Sequence, residues 1–159
     1  MLRRPRKVRI DTERLTLRPL THGDFNAWTE LRAASRDFLT PWEPTWAADH
    51  LTRKGFTNRV YWANRSVSAM TAMPLFLIRR ADSTLVGAIT LDNIRRGPAQ
   101  SGTLGYWTGQ PFARQGYMAE AIAAASDTRA RPSDSMRSAN TTGEADMFGS
   151  PSEFWLANT

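Results

Sequence analysis

Residues 105–121, Gly-Tyr-Trp-Thr-Gly-Gln-Pro-Phe-Ala-Arg-Gln-Gly-Tyr-Met-Ala-Glu-Ala, read as a strand that stops, a polar turn and a helix that starts. The chemistry of such a junction is anion binding. Amides in the first turn of a helix have no partner within the helix, and the helix dipole adds roughly half a positive charge there. A phosphate or pyrophosphate is therefore held without a cationic side chain, and Gly116 lets the main chain approach it. Other common chemistries are poorly supplied. The chain has no cysteine and only two histidines, so a disulfide framework, a thiolate zinc site, a thiol nucleophile and a metal centre are not expected.

The elements that must position this junction are legible upstream. Leu15, Leu17 and Leu20 mark a half-buried first strand ending near Pro19. Thr21 and Asp24 form a capping-box pair ahead of Phe25, Trp28 and Leu31, which repeat at helical spacing to about Ser35. Pro41 and Pro44 flank Trp42 and Glu43, so residues 38–46 are expected to be a loop with large aromatics. A second helix is expected from Ala47, with Phe56, Val60, Ala63 and Val67 on one face. Residues 74–79 are apolar on both faces, residues 81–84 turn, and residues 85–91 return as a hairpin of central strands. Residues 101–108 supply a fourth strand, and an alanine-rich helix runs from about Gly116 through Ala125. The order is strand, two helices, three strands, helix.

At 159 residues and 41% apolar content the chain suits a single core. The basic residues Arg3, Arg4, Arg6, Lys7 and Arg9 precede no apolar run, so the start is neither a secretory signal nor a membrane span, and a cytoplasmic protein is expected. The net charge of +6 is compatible with weak attraction to ribosomal RNA, but the cations are spread through the chain without the interleaved aromatics of a single-strand binder.

Four segments, residues 12–20 (Thr-Glu-Arg-Leu-Thr-Leu-Arg-Pro-Leu), 35–44 (Ser-Arg-Asp-Phe-Leu-Thr-Pro-Trp-Glu-Pro), 85–91 (Leu-Val-Gly-Ala-Ile-Thr-Leu) and 104–107 (Leu-Gly-Tyr-Trp), carry a resemblance. The chain resembles the GNAT superfamily of N-acetyltransferases, and within it the ribosomal-protein-alanine branch. The resemblance covers residues 11–125, after a basic arm at 1–10. It implies an α/β (α+β) fold: an incomplete GNAT domain with a mixed, mostly antiparallel sheet flanked by helices. Residues 126–159 lack Ile and Val, follow no period, and are expected to be a disordered, non-family tail produced by truncation or a frameshift.

The same resemblance implies acetyl-CoA as cosubstrate and an amine acceptor, most naturally the N-terminal alanine of a ribosomal protein. Tyr106, Trp107 and Thr108 would line the pantetheine arm, and Arg114, Gln115, Gly116, Tyr117, Met118 and Ala119 would meet the pyrophosphate. The family's loop pattern falls on Ala113, Gly116 and Met118, and departs from it at the first and last of these. Glu43 is the candidate base for the acceptor ammonium, against a structural role as a loop or capping carboxylate. Glu120 is read as a partner of the helix dipole. Trp42 and Trp46 are candidate walls of the acceptor groove, with Trp28 assigned to the core by its spacing. The alternatives are an inactive remnant that binds acetyl-CoA, a small-amine or antibiotic N-acetyltransferase, and a basic ribosomal-RNA module.

Overall fold

A computed structural model describes residues 8–95 and 101–126 of the chain. Its strands are β1 (Ile10–Asp11), β2 (Leu15–Arg18), β3 (Met73–Arg79), β4 (Thr84–Arg95) and β5 (Ser101–Thr108). They form one sheet in the order β1-β2-β3-β4-β5. All four pairings among the described residues are antiparallel, in keeping with the mostly antiparallel sheet flanked by helices that the resemblance implies. Ile10, counted with the basic arm, instead pairs with Leu17, and the strand read as fourth is the fifth.

The double-sided apolar character of β3 has a direct cause, because both faces of the sheet are covered. Phe76 and Ile78 face a cluster with Trp28, Leu39, Phe56, Val60 and Ala63. Leu75 and Leu77 face the other way, toward Leu15, Leu17, Tyr117, Ala121 and Ala125. The first face is covered by helices α1 (Phe25–Ala34) and α3 (Arg53–Ala69), with the short α2 (Arg36–Leu39) between them. The second is covered by α4 (Tyr117–Ser126), so Ser126 closes a helix rather than opening the tail. The rest of the expected tail lies outside the described residues. Pro74 is tolerated in β3 because β2 pairs only from Phe76 onward, leaving Pro74 with a strand neighbour on the β4 side alone.

Two boundaries differ from the sequence reading for local reasons. The second long helix starts at Arg53, not Ala47, because Thr52 is extended and its hydroxyl accepts the Gly55 N–H at 3.1 Å. The expected loop at 38–46 is partly helical: α2 runs into a 3₁₀ turn at Thr40–Trp42. Pro41 sits in the first positions of that turn, where its missing N–H forfeits no bond. The β3–β4 hairpin carries a bulge at which Leu77 pairs with Gly87 while Ile78 pairs with Leu85. Gly87 is required there, since a Cβ would stand 2.3 Å from the Trp107 carbonyl oxygen.

Candidate functional site

After β5 the chain makes a 3₁₀ turn at Gln110–Phe112 and reaches α4 through residues 113–116. Gln110 donates its N–H to the buried Ser35 hydroxyl at 2.9 Å, which ties the turn to the end of α1. Arg114 has φ 61° and Gly116 has φ 80°, so the approach to the helix passes twice through left-handed backbone. Such alternation turns successive amides toward one concavity, and the first turn of α4 adds its own unpartnered donors. The strand–turn–helix reading of residues 105–121 is thus realised as a cradle of main-chain N–H groups.

The cradle is fixed by Arg14, at the foot of β2. Its Nε donates to Glu120 Oε2 at 2.7 Å, its main-chain N–H to Glu120 Oε1 at 2.8 Å, and Nη1 to the Gln115 carbonyl at 2.9 Å. The guanidinium also stacks 4.4 Å over the Tyr117 ring. Thr12 adds a hydroxyl donor to Glu120 at 2.5 Å. Partial burial works against ionisation of Glu120, but the donors from Thr12 and Arg14 outweigh it and hold its pKa below the usual carboxylate value. Glu120 therefore anchors the loop to the sheet and does more than complement the helix dipole. Met118, the large residue where the family pattern has a small one, packs against the core cluster beneath α4. Its side chain is directed toward that cluster.

Along β5 the three residues expected to line an arm separate. Tyr106 is half exposed, Thr108 pairs with Gly87, and the Trp107 side chain is buried on the α1/α3 face. Only the main chain of Trp107 can meet a ligand laid along the strand. Among the described residues β5 is the last strand of the sheet, with β4 as its neighbour on one side.

The aromatic loop is built differently from its sequence reading. Arg32 and Glu43 form a buried ion pair, at 2.8 and 2.6 Å, with side chains 0% and 3% exposed. The second Glu43 oxygen also accepts the Trp46 indole N–H at 2.8 Å. With both oxygens already accepting charge-assisted bonds and almost no contact with solvent, Glu43 is poorly placed to take a proton from an acceptor amine. Arg32 lies between two rings, 4.6 Å from Trp46 and 4.8 Å from Trp107. Its Nη2 stands 3.1 Å from His50 Nε2, and because a guanidinium only donates, that nitrogen accepts and the ring proton sits on Nδ1. Burial, then the positive charges of Arg32, Arg59 and Arg36, push the His50 pKa down to about 3. Trp46 stacks on His50 at 4.6 Å and anchors the loop to the core, whereas Trp42 stands 63% exposed.

On the same face a cleft opens over β4 and β5. Trp28, Trp62 and Arg59 wall it, and Phe76, Ala88, Thr90 and residues 105–107 floor it. Arg59 lies 5.2 Å over the Trp28 ring, and burial, followed by repulsion from Arg32, pushes its pKa down to about 9.

Arg14, Arg32, His50 and Arg59 were not among the sequence candidates. A signal existed for two of them. Arg32 falls four residues after Trp28 on the apolar stripe of α1, and Arg59 three after Phe56 on that of α3, so helical spacing places both cations inward. Among the described residues no group of three His, Asp or Glu side chains is arranged to hold a metal ion, and no helix is long and apolar enough to cross a membrane.

A five-stranded antiparallel sheet covered on both faces, with an amide cradle between its last strand and a following helix, is the frame of an acyltransferase domain. The chain belongs to the acetyltransferase (GNAT) domain family, which matches residues 14–132. Over 121 residues it is 34% identical to the [ribosomal protein uS5]-alanine N-acetyltransferase of Escherichia coli (strain K12), and equally to that of Shigella flexneri. Each alignment covers 75% of this chain and 61% of the relative, so the chain spans about three fifths of the curated proteins it matches. Among solved structures, the fold is similar to RimJ of Mycobacterium smegmatis in complex with CoA-disulfide, with TM-score 0.70 and 23% identity over 77% of this chain and 62% of that one. It is also similar to the ribosomal-protein-S5-alanine acetyltransferase of Vibrio fischeri, with TM-score 0.69 and 21% identity over 76% of this chain and 66% of the other.

Proposed function

We propose that this chain carries the acetyl-CoA-binding part of an N-acetyltransferase whose acceptor is the N-terminal alanine of a ribosomal protein. The observation that carries this reading is the run of main-chain amides at residues 114–119, shaped by the positive φ of Arg114 and Gly116 and clasped to β2 by Arg14. The residues present fit a pyrophosphate: Gly116 takes its φ of 80° with no Cβ to crowd the Arg14 guanidinium, the amides of the α4 first turn point out of the helix, and Met118 packs inward. The likeness to the uS5-alanine N-acetyltransferases of Escherichia coli and Shigella flexneri supports the acceptor.

In this reading the amides of Arg114 through Ala119 bind the pyrophosphate, and the main chain of Tyr106 to Thr108 orients the arm along the edge of β5. The cosubstrate supplies an activated acetyl thioester. A neutral amine attacks its carbonyl carbon, the new C–N bond forms as the C–S bond breaks, and the thiolate leaves with a proton from the amine's side. Glu43 serves here as a positioning residue that holds Arg32 and Trp46, not as the base. The cleft of Trp28 and Trp62 lies beside β5 and offers the acceptor an apolar, water-poor approach.

Calorimetric titration of the full chain with acetyl-CoA, beside pantetheine that lacks the nucleotide and pyrophosphate, tests the reading. Saturable binding of acetyl-CoA, absent for the fragment and abolished by Gly116→Val, is the expected result. A folded chain that does not bind acetyl-CoA overturns it.

A further inference from the structure

The turn between β5 and α4 is held from outside by the end of α1. Gln110 opens the 3₁₀ turn, so its N–H has no partner within that turn, and the Ser35 hydroxyl accepts it at 2.9 Å from 75 residues away in sequence. Ser35 is itself fixed on both sides. Its N–H donates to the Leu31 and Arg32 carbonyls at 3.0 and 3.2 Å, its carbonyl accepts the Leu39 N–H at 2.9 Å, and the residue is fully buried. The start of the turn is approached as closely by a neighbour of Ser35, since a Cβ on Gly109 would stand 2.4 Å from Leu31 Cδ1. At its far end, Gln115 Nε2 donates to the Pro111 carbonyl at 2.8 Å and Arg79 of β3 lies 5.1 Å over the Phe112 ring. The turn stands between two stretches of main chain, residues 106–108 and 114–119, that one extended ligand would meet together. Its position sets their separation.

We propose that Ser35 is a positioning residue of the cosubstrate site, whose hydroxyl holds the turn so that the β5 main chain and the amides of residues 114–119 engage the two halves of acetyl-CoA at once. This rests on the acetyltransferase reading above, which puts the arm on β5 and the pyrophosphate on the amides. Joining two contacts through one ligand makes the second intramolecular, at an effective concentration that depends on how well the two surfaces are held in register. Without the Ser35 bond each surface persists, because β5 keeps its pairing with β4 and the amides keep the Arg14 clasp. The span between them is then no longer held. Arg32, three residues before Ser35, binds Glu43, so the same end of α1 orders both the aromatic loop and the cosubstrate turn.

The test is calorimetric titration of the full chain with acetyl-CoA, and with ADP, which carries the pyrophosphate without the arm and is measured by its displacement of acetyl-CoA. Two variants break the bond from opposite sides. Ser35→Ala removes the acceptor, and Gln110→Pro removes the donor at the first position of a turn, where proline is accommodated. Each is expected to weaken acetyl-CoA about fivefold, as for one net hydrogen bond, and to leave ADP within about twofold of wild type. The double variant is expected to lose no more than either single one, since both remove the same bond. Circular dichroism checks that each variant is folded. Acetyl-CoA affinity unmoved by either substitution, an equal loss for ADP, additive losses, or no displacement by ADP in the wild type overturns the assignment, while saturable acetyl-CoA binding by the wild type leaves the acetyltransferase reading standing. Should Ser35→Ala fail to fold, Gln110→Pro decides with the same two ligands. A folded wild-type chain that does not bind acetyl-CoA overturns the underlying reading and this assignment with it.

Discussion

Replacing Glu43 by Gln separates two roles for the one carboxylate in the aromatic loop. The substitution keeps shape and one carbonyl oxygen but removes the anion and turns an NH₂ group toward the Arg32 guanidinium. Arg32 is 0% exposed and Glu43 3%, so no solvent compensates the cation that remains. Breaking a buried ion pair from one side costs about 3–5 kcal/mol. Arg59 lies close enough to deepen that cost, because the Glu43 charge acts on it favourably. At roughly 4 °C per kcal/mol for a domain of this size, Tm falls by roughly 12–20 °C. Urea unfolding followed by tryptophan fluorescence measures the loss directly, since Trp46 and Trp107 flank Arg32. The double variant Arg32→Met/Glu43→Leu removes both charges and is expected to be more stable than Glu43→Gln. It still forfeits about 1 kcal/mol for each of the bonds to Trp46 and His50. A Glu43→Gln protein within about 0.5 kcal/mol of wild type, with transfer activity abolished, would refute the positioning role and restore Glu43 as the base.

Three other perturbations follow from the geometry. His50 is neutral in the folded protein down to about pH 3 and titrates near 6.5 when unfolded, so the unfolded state binds more protons between those values and stability falls as pH drops through that window. The slope from this one group is below about 1.4 kcal/mol per pH unit, and His50→Gln, which keeps an acceptor for Arg32, flattens it in pH-dependent urea melts. Gly87→Ala forces a Cβ to within 2.3 Å of the Trp107 carbonyl and costs about 1–3 kcal/mol by thermal unfolding; an unchanged Tm would mean the bulge is not as described. Arg14→Met removes the guanidinium bonds to Glu120 and to the Gln115 carbonyl, leaving the main-chain and Thr12 donors on Glu120, and acetyl-CoA affinity measured by calorimetry is expected to fall about tenfold, at about 1.5–3 kcal/mol for a charged bond lost, while secondary structure by circular dichroism is retained.

The sequence made some of this legible and hid the rest for identifiable reasons. Continuous apolar runs on either side of the turn at 81–84 located β3 and β4, and the capping pair Thr21 and Asp24 is present, with the Asp24 carboxylate accepting the Thr21 N–H at 2.8 Å. The junction after β5 was readable because strand, Pro-containing turn and alanine-rich helix each leave a local signature. The start of α3 was misplaced since residues 47–52 hold no period to mark the true boundary, and Thr52 announces itself only through its bond to Gly55. Pro41 was read as a helix breaker, although a proline in a first turn breaks nothing. The clasp at Arg14 and the buried Arg32–Glu43 pair are invisible to any local reading, because each is a meeting of separate elements. Of the two groove tryptophans, composition could not divide Trp46, drawn inward by Glu43, from Trp42, left facing solvent.

Arg14 and Glu120 stand 106 residues apart, and their contact spans β2 through α4. A loop of that length closes late in folding, since its ends meet at little entropic cost only after the intervening strands have paired. A nascent chain emerging from the ribosome therefore lacks the cradle until Glu120 is outside, however early its hairpin forms. Amide exchange of residues 114–119 should accordingly follow global unfolding rather than local fraying, so the ability to hold an anion becomes a direct readout of whether β2 has found its place.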